Sequence, residues 1–206
     1  MRTMNASPES KWGAYGGQSP LFMFFNAIYP ISNEARILMD QDTYPVKLEK
    51  GNFLMEPGTS SALLHLVLKG VIRGYVKEGK KEITTWINEE HEIVGSIRSL
   101  GLNRPSEEYV QAIENTELIA IPYKLIEYLY DHFPEANIIG RKILEESYRA
   151  AEERAYISRI PSAEKKYKRF LDTQPGLINR IPLKYIASYL GMTLETLSRV
   201  RGRIKK

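Results

Sequence analysis

Three features of the sequence predict an α+β fold, with a sheet domain followed by helices. Between Thr43 and Pro122, short apolar runs alternate with turn residues. Apolar residues at helical spacing occur before and after that stretch. The last 25 residues, PLKYIASYLGMTLETLSRVRGRIKK, contain two short helical patterns that meet at a glycine. We therefore expect an N-terminal double-stranded β-helix (jelly roll), a long dimerisation helix and a C-terminal helix-turn-helix with a minimal wing.

Composition restricts the class of protein. The 206 residues are 43% apolar and 26% charged, which is typical of a folded domain. They contain no cysteine, which excludes disulfides, thiolate metal sites and cysteine-bound iron–sulfur clusters. No apolar run approaches the roughly 18 residues of a membrane span, and MRTMNASPES lacks the apolar segment of a secretory signal. We expect a cytoplasmic protein with no membrane partner.

The N-terminal part predicts an arm and two helices. Residues 1–20 are rich in Gly, Ser and Pro and predict a loosely held arm whose Trp12 and Tyr15 could pack back on the body. The pattern LFMFFNAIYPISNEARILMD predicts a helix that breaks near Pro30 and restarts with Ser32 as its N-cap.

Eight short segments between Thr43 and Pro122 are candidate strands. They are Val46–Leu48, Phe53–Met55, Leu63–Leu68, Val71–Val76, Ile83–Ile87, Glu92–Val94, Tyr109–Ile113 and Leu118–Ile121. Eight strands with loops of this length favour a jelly roll wide enough to hold a small ligand, with a β-sandwich as the second choice.

A long helix is predicted from Glu135 to about Ile160, after a short helix that starts at Tyr123. A 3–4 spacing marks an apolar seam on the long helix, which resembles a coiled coil. We expect a homodimer through this seam, although the seam could instead pack on its own roll. The proposed interface residues are Ile139, Ile143, Ala150 and Ile157.

These patterns divide the chain into three parts. Residues 1–133 form the arm and the effector domain, 134–161 the central helix, and 162–206 the helix-turn-helix. The last part begins with Ser162, which is expected to cap a helix over Ala163–Thr173 with a basic face.

Charge is concentrated at the C-terminal end. From Ala163 onward there are 11 Lys or Arg against 3 Asp or Glu, a balance of +8; from chain totals of 29 and 25, this leaves 18 against 22 before it. Gly191 suits the turn between the two helices, and Thr193 suits the N-cap of the second. A basic helix-turn-helix favours duplex DNA over a purely structural hairpin.

The second helix should read DNA bases and should bury Leu197 and Val200. Arg199 and Glu195 are the expected base contacts, while the basic residues toward the end, including Lys205 and Lys206, should contact phosphates. The candidate DNA-binding residues are Lys184, Thr193, Leu194, Glu195, Ser198, Arg199, Arg201 and Arg203.

A β-roll, one long helix and a C-terminal helix-turn-helix, in that order, resemble the Crp/Fnr family of bacterial transcription regulators. The resemblance covers about residues 30 to 206 and is carried by KGVIRGYV, GKKEITTWI, EIVGS, SEEYVQAIENTEL and IPLKYIASYLGMTLETLSRVR. It implies a cyclic-nucleotide-binding-like domain, dimerisation by the central helix and a palindromic operator, and it leaves RNA polymerase open as a further partner. In the family's Arg-Glu-x-x-x-Arg recognition pattern, the chain keeps Glu195 and Arg199 but has Leu194 in place of the first arginine.

The resemblance also places an effector pocket, from which this chain departs. Members that bind cyclic AMP carry Gly-Glu and, some ten residues on, Arg-Ser or Arg-Thr. Here Gly95-Ser96 and Ser106-Glu107 stand at those places, so a carboxylate replaces the phosphate partner. Arg98 and Arg104 lie near these positions in the sequence, and either could contact the phosphate in place of the missing arginine. We expect cyclic AMP to bind weakly or not at all, and the effector is left unidentified.

Two other functions compete with a regulator. An enzyme of the cupin type would need closely spaced histidines, but His65 and His91 are 26 residues apart, and no His-x-His occurs. No arrangement of histidines requires haem or another metal, and we expect no catalytic residue. The alternative is a ligand-binding β-roll whose helical tail mediates protein contacts, which would not show the salt dependence of phosphate binding.

Overall fold

Two four-stranded antiparallel sheets lie at the centre of the molecule. The computed structural model describes residues 11–102 and 104–204. The strands are β1 (Tyr44–Leu48), β2 (Phe53–Met55), β3 (Leu63–Lys69), β4 (Ile72–Glu78), β5 (Lys81–Asn88), β6 (Ile93–Val94), β7 (Tyr109–Ala112) and β8 (Thr116–Pro122). They pair in the orders β1-β8-β3-β6 and β2-β7-β4-β5. All eight predicted strands are confirmed, and their ends move by at most two residues.

The two sheets form a jelly-roll-like sandwich, called the roll below. Side chains alternate between the faces of each strand, so neighbouring residues enter different cores. Val67 and Leu118 point between the sheets, whereas Leu66 and Ile119 pack against helices on the outer face. Trp86 fills part of the interior against Gly74, where an added Cβ would overlap the indole ring. This close approach explains a glycine in the middle of β4.

Within the described residues, seven α-helices accompany the roll. They are α1 (Pro20–Ile28), α2 (Asn33–Asp42), α3 (Tyr123–His132), α4 (Pro134–Arg159), α5 (Ala163–Thr173), α6 (Leu183–Tyr189) and α7 (Leu194–Ile204). The caps predicted at Ser32 and Ser162 are confirmed, since their hydroxyls accept hydrogen bonds from the amides of Ala35 and Lys165. Within residues 11–102 and 104–204, no helix is long and apolar enough to cross a membrane.

The described part of the N-terminal arm packs on the body through Trp12. Trp12 is fully buried against α1 and α2, and its indole nitrogen donates to the Asp40 carbonyl at 2.8 Å. The prediction that Trp12 could pack back on the body is confirmed, because the large apolar area of its ring favours burial. Residues 13, 14 and 16–18 stay exposed, so the described arm is held at Trp12 and Ser19. The rest of that arm, residues 1–10, lies outside the described residues.

Helix α4 spans two cores. Near its start, Ile139 packs with α1, α2, α3 and the outer face of β3 and β8. Near its end, Ile157 packs with α5, α6 and α7. The long helix therefore connects the roll to the C-terminal helices on one continuous backbone.

Candidate nucleic-acid interface

Helices α6 and α7 form the helix-turn-helix. Gly191 adopts φ +64° in the turn between them, a left-handed conformation that glycine tolerates without strain. The Met192 amide donates to the Ala187 carbonyl at 3.0 Å and closes the turn. The amide of Thr196 donates to the Thr193 hydroxyl at 3.2 Å, so Thr193 caps α7 as predicted.

One face of α7 is buried and the opposite face is open. Leu197 and Val200 lie in the C-terminal core with Ile186 and Ala187 of α6. The exposed residues on the other face are Thr193, Leu194, Glu195, Ser198, Arg199 and Gly202. The sequence pattern thus identified both faces of this helix, because α7 packs on one side only.

Charge on the open face has both signs. Glu195 accepts hydrogen bonds from its own amide and from Thr193, which lower the pKa of its carboxyl and keep it ionised. Arg199 is exposed on the same face, and Arg203 is exposed toward the end, where Arg201 is half-buried. Lys184 is exposed at the start of α6, with its ammonium 4.8 Å from the centre of the Tyr185 ring. The predicted phosphate contacts Lys205 and Lys206 lie outside the described residues.

The basic face predicted for α5 is mostly engaged inside the chain. Arg169 forms two hydrogen bonds to Glu153, and Lys168 pairs with Glu164 at 2.7 Å. Lys166 donates to the Leu190 carbonyl at 3.0 Å and so satisfies the C-terminal end of α6. Only Lys165 of this group is exposed without such a contact among the described residues.

The helix-turn-helix is docked on the roll through a surface that sequence reasoning missed. Val71, Ile87 and Ile113 of the roll are buried in one cluster with the residues of α5, α6 and α7. The Ser188 hydroxyl donates to the Glu82 carbonyl at 2.8 Å and accepts from the Thr84 amide at 2.9 Å. These partners are about a hundred residues apart in the chain, so no local sequence pattern predicts the contacts.

An arginine inside this docking surface adds a stacked contact. The Arg73 guanidinium lies 3.6 Å from the centre of the Tyr185 ring and 4.1 Å from that of Tyr75. It also donates to Glu82 at 2.6 Å and to Gln111 at 2.8 Å. A planar cation between two aromatic rings is a favourable arrangement in a desolvated site. The family pieces KGVIRGYV and IPLKYIASYL contain Arg73 and Tyr185, and this contact was not expected from either.

The predicted effector residues separate into two groups. Ser96 and Ser106 are buried, and Gly95 lies against Leu63 and Leu64 of β3. The side chains of Arg98 and Glu107 are 82% and 80% exposed and approach each other to 3.7 Å. The roles expected for Arg98 and Glu107 toward a phosphate stay predictions. Both side chains extend into solvent, where their charges are hydrated.

His65 lies inside the roll and was not among the predicted pocket residues. It is buried on the same face of β3 as Val67, and its Nδ1 has no hydrogen-bond partner in the described structure. Burial lowers its pKa to about 4, so the imidazole is neutral at physiological pH. His91 sits in a turn with φ +67°, and His132 stacks on Tyr128. Among the described residues, no group of three or more potential ligands could hold a metal ion.

Most of the proposed interface residues of the dimer seam are covered by contacts within the same chain. Ile139 is 1% exposed and Ile157 2% exposed, each inside one of the two cores that α4 spans. Ile143 is half-buried against the first core, and Ala150 is also half-buried. Assigning Ile139 and Ile157 to a dimer interface is therefore wrong. The roll and the C-terminal helices cover them instead.

A different stripe of α4 is open. Leu144 is 64% exposed and Tyr148 66% exposed, and Ala151 and Ala155 continue at a 4-3-4 spacing. A groove of about 440 Å³ lies beside the start of this stripe. Its lining consists of Tyr130, Asn137, Gly140, Arg141, Leu144, Glu145 and Tyr148.

Comparison with known proteins supports a regulatory role. The family model for the cyclic nucleotide-binding domain matches residues 45–133, which include most of the roll. The chain is 25% identical over 172 residues to the fumarate and nitrate reduction regulatory protein of Vibrio cholerae, covering 77% of this chain and 68% of that protein.

Solved structures show the same fold. FixK2 from Bradyrhizobium japonicum has a TM-score of 0.66 at 16% identity, over 79% of this chain and 84% of that one. A protein from Eubacterium rectale assigned to the Crp/Fnr family of transcriptional regulators has a TM-score of 0.68 at 16% identity, over 91% and 88%. Both likenesses cover more of this chain than the roll alone contains.

Proposed function

We propose that this chain is a transcription regulator of the Crp/Fnr type, which binds a palindromic DNA operator as a homodimer and reads it with α7. The observation that carries this proposal is the open face of α7, where Glu195, Ser198 and Arg199 stand together opposite a fully buried face. In this arrangement the recognition helix can enter the major groove while the other helices support it. The regulator is proposed to work in the cytoplasm, and it is not an enzyme.

Base reading is assigned to two charged side chains. Arg199 can donate to O6 and N7 of a guanine, and the ionised Glu195 can accept from N4 of a cytosine. Leu194, which is exposed beside them, offers an apolar contact to a thymine methyl group. Lys184, Thr193, Arg201 and Arg203 flank the reading face and are assigned to phosphates. The connection over 174–182 consists of turns, so a minimal wing there stays a prediction.

Dimerisation is assigned to the open stripe of α4, with a second copy of this chain as the occupant. Leu144 and Tyr148 are large apolar side chains exposed at coiled-coil spacing, and the small Ala151 and Ala155 allow two helices to approach closely. The groove beside Tyr130 can receive side chains of the partner helix. Two helices paired in this way would bring two copies of α7 to the half-sites of one operator.

The roll is proposed as the sensor, with an effector other than cyclic AMP. This is supported by the burial of Ser96 and Ser106 at the predicted pocket, whereas the side chain of Arg98 is 82% exposed. The interior of the roll, which contains Trp86 and the neutral His65, is mostly apolar. The three-part division of the chain at 133 and 161 follows these roles, although the C-terminal part shares its core with the roll.

Selection of duplexes from a randomised pool, followed by titrations at several salt concentrations, tests this function. We expect an enriched palindrome with half-sites about 10 base pairs apart and an affinity that falls steeply with salt. If the helical tail instead served a protein partner, no duplex would be enriched and any residual DNA binding would lack sequence preference.

A further inference from the structure

A cluster of four charged side chains lies at the edge of the surface where the helix-turn-helix docks on the roll. Arg180 stands in the turn region between α5 and α6 and is surrounded by Glu89, Glu90 and Glu114 of the roll. It donates twice to Glu90, at 2.8 and 2.7 Å, and once to Glu89 at 3.2 Å. Its Nε and Nη2 both donate to Glu114.

This cluster differs from an ordinary surface ion pair. All four side chains are about one-third exposed or less, and the planar guanidinium contacts three carboxylates from two separate turns. Glu90 also accepts a hydrogen bond from the Gly70 amide at 2.7 Å, which ties the turn between β3 and β4 to the same group. Such a multidentate geometry needs an arginine, since a lysine ammonium cannot span the three acceptors.

The cluster borders the apolar part of the docking surface. Ile113 is adjacent to Glu114, Ile181 is adjacent to Arg180, and Ile113 and Ile181 are buried in the same core. Apolar contacts are not directional and tolerate sliding, whereas hydrogen bonds to a guanidinium fix distance and angle. Apolar contacts therefore attach the helix-turn-helix to the roll, and the charged cluster can determine its orientation there.

The carboxylates are also placed next to the predicted effector segment. Residues 95–108 connect β6 to β7; Glu89 and Glu90 precede β6, and Glu114 follows β7. A displacement of either strand would therefore move a carboxylate that holds Arg180. Without the guanidinium, the three carboxylates would face one another and repel.

We propose that Arg180 is a positioning residue of the regulator, which fixes the helix-turn-helix on the roll with the reading face of α7 open. Its carboxylate partners connect this orientation to the segment between β6 and β7. The effect of Arg180 on DNA recognition rests on the proposed function, whereas its effect on the orientation of the helix-turn-helix is independent of that function.

Distance measurement between two spin labels tests the orientation directly. The sequence contains no cysteine, so Lys47→Cys on β1 and Lys165→Cys on α5 would carry the only labels. Both positions are exposed. Labelled chain diluted in an excess of unlabelled chain reports only distances within one subunit. We expect one narrow distance peak for the otherwise unchanged chain and loss of that peak in Arg180→Ala.

Three further variants serve as controls for the distance measurement on Arg180→Ala. Arg36→Ala removes the same charge from an ion pair with Asp40 on α2, away from the docking surface, and should keep the narrow peak. Arg180→Lys should broaden it to an intermediate degree. Glu90→Gln combined with Glu114→Gln leaves Arg180 in place and should also broaden the peak, which guards against misfolding of a single variant.

Retention of the narrow peak in both Arg180→Ala and the double glutamine variant would overturn the proposal. DNA binding is then measured on operators with the selected half-site spacing and with two base pairs inserted. Arg180→Ala should lose the preference between the two spacings. If the unchanged chain bound no duplex at all, the proposed function would fail, and the distance measurements would still decide the role of Arg180.

Discussion

The two helices on which the proposed function depends, α7 and α4, use their apolar residues differently. Helix α7 buries Leu197 and Val200 on one side and leaves the opposite side in solvent. Helix α4 buries Ile139 in one core and Ile157 in another along one side, and still exposes Leu144 on a different side. The periodicity of a sequence shows that an apolar stripe exists, but it does not show what covers the stripe.

The largest expected effect concerns the buried stripe of α4. Ile139→Asp would place an isolated carboxylate in a core that has no partner for it, at a position that is 1% exposed. We expect a loss of at least about 4 kcal/mol in the free energy of unfolding. Urea denaturation followed by circular dichroism would measure this loss. A variant that remained as stable as the unchanged chain and became monomeric would restore Ile139 to the dimer interface.

The open stripe of α4 should give the opposite result. Leu144→Asp together with Tyr148→Asp replaces exposed side chains, so the fold should be retained while the dimer dissociates. Analytical ultracentrifugation at micromolar concentration should show a dimer for the unchanged chain and a monomer for the double variant. The matched control is Tyr156→Asp, which is also exposed on α4 but lies off the 4-3-4 stripe. Equal dissociation by the control would contradict the assigned stripe.

A smaller effect is expected on the open face of α7. Arg199→Ala should lose roughly 1–3 kcal/mol of discrimination at one position of each half-site, because a bidentate contact to guanine is removed. Operator selection with the variant should return a motif that is degenerate at that position. If the selected motif were unchanged, Arg199 would be a phosphate contact only.

The smallest effect is expected at the end of the same helix. Arg203 is exposed but lies off the reading face, so Arg203→Ala should weaken binding to all duplexes alike. The slope of log affinity against log salt should fall by about one. Titration of the selected operator and of an unrelated duplex at four salt concentrations would measure both changes. A selective loss on the operator would show that Arg203 reads bases.

Several local features could be read from the sequence because their causes are local. The eight strands were predicted from alternating apolar runs and turn residues, and Thr193 as an N-cap was recognised by its place before α7. Gly191 was recognised because the turn requires a positive φ. The candidate effector residues were less predictable, since sequence spacing placed Arg98 and Glu107 near the pocket but could not show that both side chains are about 80% exposed.

By itself, the sequence determined the order of the elements, the faces of α7 and the concentration of positive charge at the C-terminal end. These properties depend on residues within one or two helical turns of each other, or on composition alone. Only the tertiary structure decided that α4 buries Ile139 and exposes Leu144, and that Arg180 meets Glu89, Glu90 and Glu114. The physical reason is that both depend on which surfaces meet the same side chain in the fold. The carboxylates around Arg180 lie 66 to 91 residues away along the chain, and Leu21 and Phe25 of α1 belong to the core that buries Ile139.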